Sequence, residues 1–352
     1  MAAISFTSDA RASRNIAFWL FFVMITVITM IVFGGATRLT NSGLSITEWE
    51  PITGILPPLS HEAWMAEFEK YKQIPEFEAE HPDMTLAGFE FIYFMEWGHR
   101  ILGRVIGLAY MLPLLYFTFK RKLPRGKAWL FWLVFFLICL QGFIGWWMVY
   151  SGLDGVSVSQ YRLATHLGMA FIIVGLLFWF WRDAREGWPK TTGRPFMSKR
   201  TGVLAVLIFV QIILGAFVAG TKSGLSYNTW PLMDGRLIPG GYGVMNPFWK
   251  NWFENTAAIQ FNHRMLAYII LAVGIWVFIS ARQSRHLRGP VTVLSLLILW
   301  QVVLGIITLL TGGVMHPWWD IHIELALFHQ FSSILVYLAA LWVWRSALVN
   351  RV

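Results

Sequence analysis

Long apolar runs alternate with short polar segments over most of the chain. Eight of these runs are long enough to cross about 30 Å of hydrocarbon as α-helices. They lie at 16–36, 89–119, 128–150, 164–181, 201–220, 257–280, 291–310 and 324–344. The first run is too long for the core of a typical signal peptide, so we interpret it as a retained span. The pattern predicts an all-α polytopic membrane protein.

Basic residues are concentrated in alternate connections between the predicted spans. These connections are 120–127, 182–200 and 281–289. The segment 37–88, by contrast, carries nine acidic residues against three basic ones. Because Lys and Arg mark the cytoplasmic loops of membrane proteins, the pattern places both termini in the cytoplasm and segment 37–88 outside. Within that segment Trp64, Phe68 and Tyr71 predict a short amphipathic helix, either at the membrane interface or in solvent.

The composition supports a membrane protein and excludes several other classes. Hydrophobic residues make up 57% of the 352 positions and charged residues 13%, which is unusual for a soluble domain. The net charge of +9 is expected of basic cytoplasmic loops, so no nucleic-acid partner is predicted. Cys139 is the one cysteine, which excludes a disulfide or a cysteine-based metal site within the chain.

The chain contains an internal duplication. The segment TNSGLSITEW (40–49) follows the first span, and TKSGLSYNTW (221–230) follows the fifth. We therefore predict two pseudo-symmetric four-helix bundles, 1–190 and 191–352, related by an axis along the membrane normal. A finer pattern recurs on the odd-numbered spans, with Gln or Met, then Gly four residues later, then Ser or Thr six further on. Its copies are Met30–Gly34–Thr40, Gln141–Gly145–Ser151, Gln211–Gly215–Thr221 and Gln301–Gly305–Thr311.

Four of the nine histidines fall inside predicted spans, one on each even-numbered span. They are His99, His166, His263 and His329. The two halves match, because His99 corresponds to His263 and His166 corresponds to His329. A single histidine in a membrane helix is commonly a hydrogen-bonded packing residue, but polar residues at four repeated positions indicate a function.

Two histidines that face each other in a four-helix bundle can bind a metal. Two neutral imidazoles can ligate a haem iron from both sides, and bundle interiors hold such cofactors. Zinc requires more ligands, often Cys or carboxylate, and copper uses His and Met. The abundance of Gly, Trp and Phe around these histidines favours a large flat macrocycle. The sequence thus predicts one haem site in each half.

An arginine directly follows the first histidine of each half. These arginines are Arg100 and Arg264. Guanidinium groups form strong bidentate pairs with carboxylates, and haem propionates are carboxylates. The alternative is that these arginines extend toward the polar membrane surface.

One acidic residue distinguishes the two predicted sites. Glu96 lies three residues before the histidine of the first half, whereas Gln260 has the same place in the second half. A carboxylate near an iron site can move a proton or stabilise a cation. Alternatively, Glu96 forms an ion pair with Arg100 or Arg104 on the same helix. The difference predicts a reactive site in the first half and an electron-transfer haem in the second.

Together these features resemble haem A synthase, in the branch found in proteobacteria and mitochondria. The resemblance rests on eight spans in two repeated halves, the Glu-x-x-His-Arg-x-x-Gly segment that starts at Glu96, and the histidines of spans four, six and eight. It covers nearly the whole chain. Some members carry a Cys pair in an outside loop that this chain lacks, so any thiol-dependent step of those relatives cannot operate here.

The resemblance implies a reaction and a role for each site residue. The family oxidises a methyl substituent of haem O to a formyl group, which gives haem A for cytochrome oxidase. The implied residues are His99, His166 and Arg100 for substrate haem O, His263, His329 and Arg264 for a permanent haem b, and Glu96 as the catalytic acid. We expect two successive oxidations, in which Glu96 stabilises positive charge on the methyl carbon or takes its proton. The oxygen atoms come from either O2 or water.

Two other functions would use four histidines equally well. A dihaem b-type membrane electron carrier would pass electrons between two partners, but it would leave Glu96 without a task. A haem transporter or chaperone would hold exchangeable haem at both sites. The haems bound by the purified protein distinguish the three functions.

The resemblance also implies partners and a location. A ferredoxin-type electron donor serves some lineages, and a complex with haem O synthase would keep insoluble haem out of water. Small residues on the odd-numbered spans permit a homo-oligomer. We expect a multi-pass protein of the bacterial inner membrane, in contact with the lipid bilayer, with both haem sites toward the periplasm.

Overall fold

The computed structural model describes residues 3–50, 53–189, 195–312 and 321–349, and its regular elements there are helices. The α-helices of this part are α1 (Ala3–Leu39), α2 (His61–Tyr71), α3 (Pro75–Glu80), α4 (Leu86–Phe119), α5 (Ala128–Tyr150), α6 (Gln160–Arg185), α7 (Pro195–Gly220), α8 (Thr256–Ala281), α9 (Arg285–Leu310) and α10 (Ile321–Leu348). Within the described ranges, eight helices, all but α2 and α3, are long and apolar enough to cross a membrane. The predicted all-α membrane protein is confirmed, and each predicted span lies within one of these helices.

The eight long helices pack in two rings of four. In the first half, α4 contacts α1 and α5, and α6 contacts the same two helices. In the second half, α8 contacts α7 and α9, and α10 contacts the same two helices. The rings meet through contacts of α6 with α7 and of α10 with α1 and α6. The pseudo-symmetry of the two bundles stays a prediction, and the predicted boundary between residues 190 and 191 lies outside the described residues.

The Ser and Thr of the repeated pattern lie at the ends of their helices. Each hydroxyl donates to the carbonyl four residues earlier, from Thr40 to Ala36, Ser151 to Trp147, Thr221 to Phe217 and Thr311 to Ile307. Hydroxyl side chains make this local bond readily and compete with continued helix. The shared contact explains why the third position of the pattern is Ser or Thr.

Helix α2 confirms the helix predicted around Trp64, Phe68 and Tyr71. It begins after Ser60, whose hydroxyl accepts a backbone N–H of the first turn. Phe68 and Tyr71 are buried, and their rings pack against Phe89 of α4 with centroids 5.0 and 5.5 Å apart. These two aromatic side chains therefore pack against protein, and neither lies against lipid or in solvent.

A small polar cluster holds the connection between α2 and α4. The Tyr71 hydroxyl lies 3.2 Å from Glu76 Oε2 and 2.8 Å from His81 Nδ1. Burial raises the pKa of Glu76 to about 8, and it lowers the pKa of His81. Both groups are therefore mostly neutral near pH 7, which keeps buried charge out of this cluster.

The two copies of the repeated segment meet at one carboxylate. Asn41 Nδ2 donates to Glu80 Oε2 at 3.3 Å, and Nζ of the corresponding Lys222 lies 2.8 and 2.9 Å from the two Glu80 oxygens. Asn41 and Lys222 also share a left-handed backbone, with φ of 47° and 53°. Glu80 thus connects the two halves at the end of the bundle nearer the intramembrane histidines.

A buried ion pair joins the halves at the opposite end. Arg345 of α10, whose side chain is 2% exposed, donates to Asp183 Oδ1 of α6 at 2.8 and 2.9 Å and to Glu186 Oε2 at 2.7 Å. A guanidinium satisfies both carboxylates because its donors form a rigid fork. Removal of this cation would leave Asp183 without its guanidinium partner, whereas Glu186 would keep Arg182 at 2.6 Å.

We expect Arg345→Ala to lower the free energy of unfolding by about 3–5 kcal/mol, the usual effect of breaking a buried ion pair. A denaturant titration in detergent micelles, followed by tryptophan fluorescence, measures the change. Arg282→Ala, at an exposed arginine, is the control. A loss below about 1 kcal/mol, as for a surface pair, would show that the ion pair does not hold the halves together.

Candidate functional site

The structure brings the four intramembrane histidines together in two pairs. His99 of α4 and His166 of α6 lie in the first ring of helices, and His263 of α8 and His329 of α10 lie in the second. All four residues are partly exposed. These are the partners that the sequence predicts within each half. Their binding of haem stays a prediction.

Each histidine ring lies against a glycine of a neighbouring odd-numbered span. The contacts are Gly34 with His99, Gly145 with His166, Gly215 with His263 and Gly305 with His329. A Cβ atom built on these glycines would lie 3.0, 2.9, 3.3 and 2.8 Å from the nearest ring atom, in the same order. Carbon atoms do not approach much closer than about 3.5 Å without repulsion. The glycine of the repeated pattern therefore makes room for the imidazole.

We expect Gly305→Ala to displace the ring of His329, because the added methyl would lie 2.8 Å from its Cε1 atom. Haem retained per chain at this site should fall at least about tenfold, as for other losses of ligand orientation. The pyridine haemochrome absorbance of the purified protein, divided by protein concentration, measures it. Gly107→Ala, where the methyl would meet no atom within 4 Å, is the control, and equal retention in both variants would contradict this role.

Three of the four histidines are also held by the glutamine of the repeated pattern. The amide nitrogens of Gln141, Gln211 and Gln301 donate to the carbonyls of His166, His263 and His329 at 3.0, 2.9 and 3.0 Å. The same nitrogens lie 3.2–3.5 Å from the ring nitrogens of these histidines. The sequence contains these glutamines in register, but spacing along one helix does not reveal which residue of the next helix they contact.

Arg100 and Arg264 make matching contacts with the repeated segment. Arg100 donates to the carbonyls of Ile46 and Glu48 at 3.0 and 3.2 Å, and Arg264 to those of Tyr227 and Thr229 at 2.6 and 2.8 Å. These acceptors are the seventh and ninth positions of both copies. Each arginine therefore holds the segment that follows an odd-numbered span, and its pairing with a haem propionate stays a prediction.

Glu96 is 3% exposed and accepts four hydrogen bonds. Its Oε1 accepts from Nε and Nη2 of Arg100 at 3.1 and 2.6 Å. Its Oε2 accepts from the Ser45 hydroxyl at 2.8 Å and from the Ile46 N–H at 2.9 Å. The ion pair with Arg100 considered from the sequence is therefore present. Arg104 donates instead to the carbonyl of Glu50 at 2.9 Å.

Gln260 has a similar place in the second half but a different chemistry. Its Oε1 accepts from Arg264 Nη2 at 2.9 Å, and its Nε2 donates to the carbonyl of Ser223 at 2.8 Å. The carboxylate of Glu96 and the amide of Gln260 thus each bind an arginine and a loop segment. Of these two side chains only Glu96 can carry a negative charge, which is the asymmetry that the sequence indicates. The catalytic role of Glu96 stays a prediction.

A cavity of about 310 Å³ lies beside the arginines of α4. Its walls include Glu48, Glu67, Tyr93, Arg100 and Arg104. Both arginines are fixed by main-chain carbonyls, so their positive charges have defined positions in the wall. An anionic substituent that entered this cavity would meet both guanidinium groups, in a wall that also contains Glu48, Glu50 and Glu67.

The geometry fits a haem better than a zinc ion. Within the described ranges, no group of three or more His, Cys, Asp or Glu side chains is placed to hold a metal ion. Zinc sites take at least three protein ligands, whereas a haem iron takes two axial ligands from opposite sides. Paired imidazoles, each partly exposed and backed by a glycine, would supply two such ligands in each half.

Comparison with known proteins gives consistent similarities over nearly the full length. Residues 17–341 match the COX15-CtaA family, described as cytochrome oxidase assembly protein. A protein of Maricaulis maris named heme A synthase is 48% identical over 348 residues, which cover 96% of this chain and 98% of that protein. Proteins of the same name from Caulobacter vibrioides and Azorhizobium caulinodans are 44% and 46% identical, over 95% and 94% of this chain and 96% and 94% of their own lengths.

Proposed function

The chain belongs to the COX15-CtaA family of cytochrome oxidase assembly proteins, and on this premise we propose that it is a haem A synthase. Its substrate is haem O, and a methyl substituent of the porphyrin is oxidised to a formyl group in two successive steps. The enzyme is thus an oxidoreductase that acts on a CH group. The observation that carries the proposal is a buried carboxylate three residues before the first histidine of the first half, where the second half has an amide.

We assign one haem to each half. His99 and His166 would hold the substrate haem O in the first half, and His263 and His329 would hold a permanent haem b in the second. When bound, the two haems supply the redox chemistry, while the protein supplies orientation and electrostatics. The glycines behind the rings fix where each imidazole lies, and so they fix the plane against which a macrocycle would pack.

We assign to Glu96 the stabilisation of positive charge on the reacting carbon. Its four hydrogen bonds all use the carboxylate as an acceptor, so it can act electrostatically without breaking a contact. Removal of a proton would require one oxygen to give up Ser45, Ile46 or Arg100. The contacts therefore favour the electrostatic role over the role of a base.

We assign the arginines to the propionates of the two haems. Arg100 lines the cavity of the first half, and Arg264 makes the equivalent contacts in the second. Guanidinium groups already fixed by carbonyls would bind a carboxylate with little loss of side-chain freedom. They would orient the substrate by its propionates, leaving the histidines to set the position of the iron.

The remaining assignments follow from the resemblance and from the loop charges. We place both termini in the cytoplasm and both haem sites toward the periplasmic side of the inner membrane. A ferredoxin-type protein is the proposed electron partner, and haem O synthase is the proposed source of substrate. Protease accessibility of tags at the two termini, in spheroplasts and in inverted vesicles, tests the orientation.

The haems that copurify with the protein test the proposed function. From a host that makes haem O, a synthase should carry haem b together with haem O and haem A. A dihaem electron carrier would carry haem b alone, and a transporter would carry unmodified haem that exchanges at both sites. Extraction into acidified acetone and mass analysis identify each haem, and a purified protein without haem A would contradict the proposal.

A further inference from the structure

Three glutamine side chains near the histidines have an unused acceptor. The amide oxygens of Gln141, Gln211 and Gln301 are buried and receive no hydrogen bond in the part of the chain that the structure describes. A buried polar atom without a partner is unfavourable, because it has lost its hydrogen bonds to water. The same unpaired atom at three corresponding positions points to a donor that becomes available when the site is loaded.

The neighbouring imidazoles can supply that donor. An imidazole that binds iron through Nε2 carries its proton on Nδ1, and this N–H normally finds an oxygen acceptor. Each glutamine amide already lies 3.2–3.5 Å from the ring nitrogens of its histidine. The last side-chain torsion of glutamine is broad, so its oxygen can turn to the ring, and the amide then exchanges its bond to the histidine carbonyl for one from the ring N–H.

His99 is the exception among the four histidines. Met30 stands at the position of the glutamine, four residues before Gly34, and a methionine brings no amide. The ring of His99 instead packs parallel to Phe33, with centroids 6.4 Å apart and planes 14° apart. The pattern therefore places a glutamine amide against both histidines of the second half, but against only His166 in the first half.

We propose that Gln141, Gln211 and Gln301 are positioning residues that accept the Nδ1–H of an iron-bound histidine, and that His99 is the exchangeable ligand because Met30 replaces this acceptor. The proposal rests on the haem assignment made above. A haem in the second half is held by two supported ligands and stays. In the first half His166 has a glutamine acceptor and His99 has none. Substrate can therefore enter and product can leave on the side of His99.

A reciprocal exchange of Met30 and Gln211 tests this proposal, because the two residues hold the same position in the two halves. The full chain is purified in detergent with its haems, and excess apomyoglobin captures haem that dissociates. We expect haem b to leave Gln211→Met about 10–100-fold faster than it leaves the wild type, the usual effect of losing such a partner. Met30→Gln should slow the loss of haem from the first half by a similar factor.

The midpoint potential of haem b separates positioning from general packing. In Gln211→Glu a carboxylate accepts the Nδ1–H, which makes the imidazole a stronger electron donor. We expect this variant to keep haem b as slowly exchanging as the wild type and to lower its midpoint potential, whereas Gln211→Met should raise it. The proposal would be overturned if Gln211→Met lost haem b as slowly as the wild type and if neither variant changed the midpoint potential.

The outcome is independent of whether haem A is formed. Accelerated haem b loss in Gln211→Met, in a protein that makes no haem A, would refute the synthase and support the positioning role. An unchanged rate in a protein that does make haem A would refute the positioning role and leave the synthase standing.

Discussion

Glu96→Gln is expected to lower haem A formation by about 10²–10³-fold, the usual effect of removing a preorganised electrostatic contact from an active site. The substitution removes the negative charge and keeps the size of the side chain. Gln260 shows that an amide at this position can still bind the adjacent arginine and the loop segment. The measurement is the ratio of haem A to haem O in cells, normalised to the haem b bound per purified chain.

Glu78→Gln is the matched control for this result. It makes the same chemical change at an exposed carboxylate of α3, and it should form haem A as the wild type does. Bound haem b in both variants reports that the chain has folded. If Glu96→Gln forms haem A as fast as Glu78→Gln does, then Glu96 only holds Arg100 and the repeated segment, and its catalytic assignment is wrong.

Loss of a ligand in one half is expected to affect only the haem of that half. His329→Ala should lower bound haem b at least about tenfold, because an iron ligand contributes more than the orienting groups around it. His166→Ala should retain haem b and form no detectable haem A, because it removes a proposed ligand of the substrate. The reduced-minus-oxidised spectrum gives haem b, and mass analysis of the extract gives haem A.

The control for both variants is His286→Ala, at a histidine outside the paired sites. It should keep haem b and form haem A. A common loss of haem b in His166→Ala and His329→Ala, with His286→Ala unaffected, would contradict the assignment of one haem to each half. The same result would favour a single site shared between the halves.

The membrane helices and the paired histidines can be predicted from the sequence, because the patterns that indicate them are local or repeated. Apolar runs of about 20 residues can satisfy their backbone in lipid only as helices, so hydropathy placed all eight. The repeat divides the four histidines between the two halves, since His99 and His263 occupy the same position in two copies of one pattern, and each half then contains one pair. Glu96 differs from its counterpart in the second copy, Gln260, and this difference is visible in the sequence.

Contacts between helices that are far apart in the sequence cannot be predicted from these patterns. The pairing of Arg345 with Asp183 spans 162 residues, and neither residue belongs to the repeat. The orientation of Gln141 toward His166 depends on how α5 and α6 pack, which periodicity along either helix does not specify. The loop carbonyls that hold Arg100 belong to an irregular segment, whose main-chain directions follow from turns and not from residue type.

The most direct test of the proposed function is the haem made by cells that produce haem O but have no haem A synthase of their own. Expression of the wild-type chain should make haem A appear in the extracted haems, while cells with His166→Ala should contain haem O without haem A. Mass analysis separates the methyl from the formyl porphyrin. Wild-type cells that hold folded, haem-b-containing protein and haem O, but no haem A, would contradict the claim that this chain is a haem A synthase.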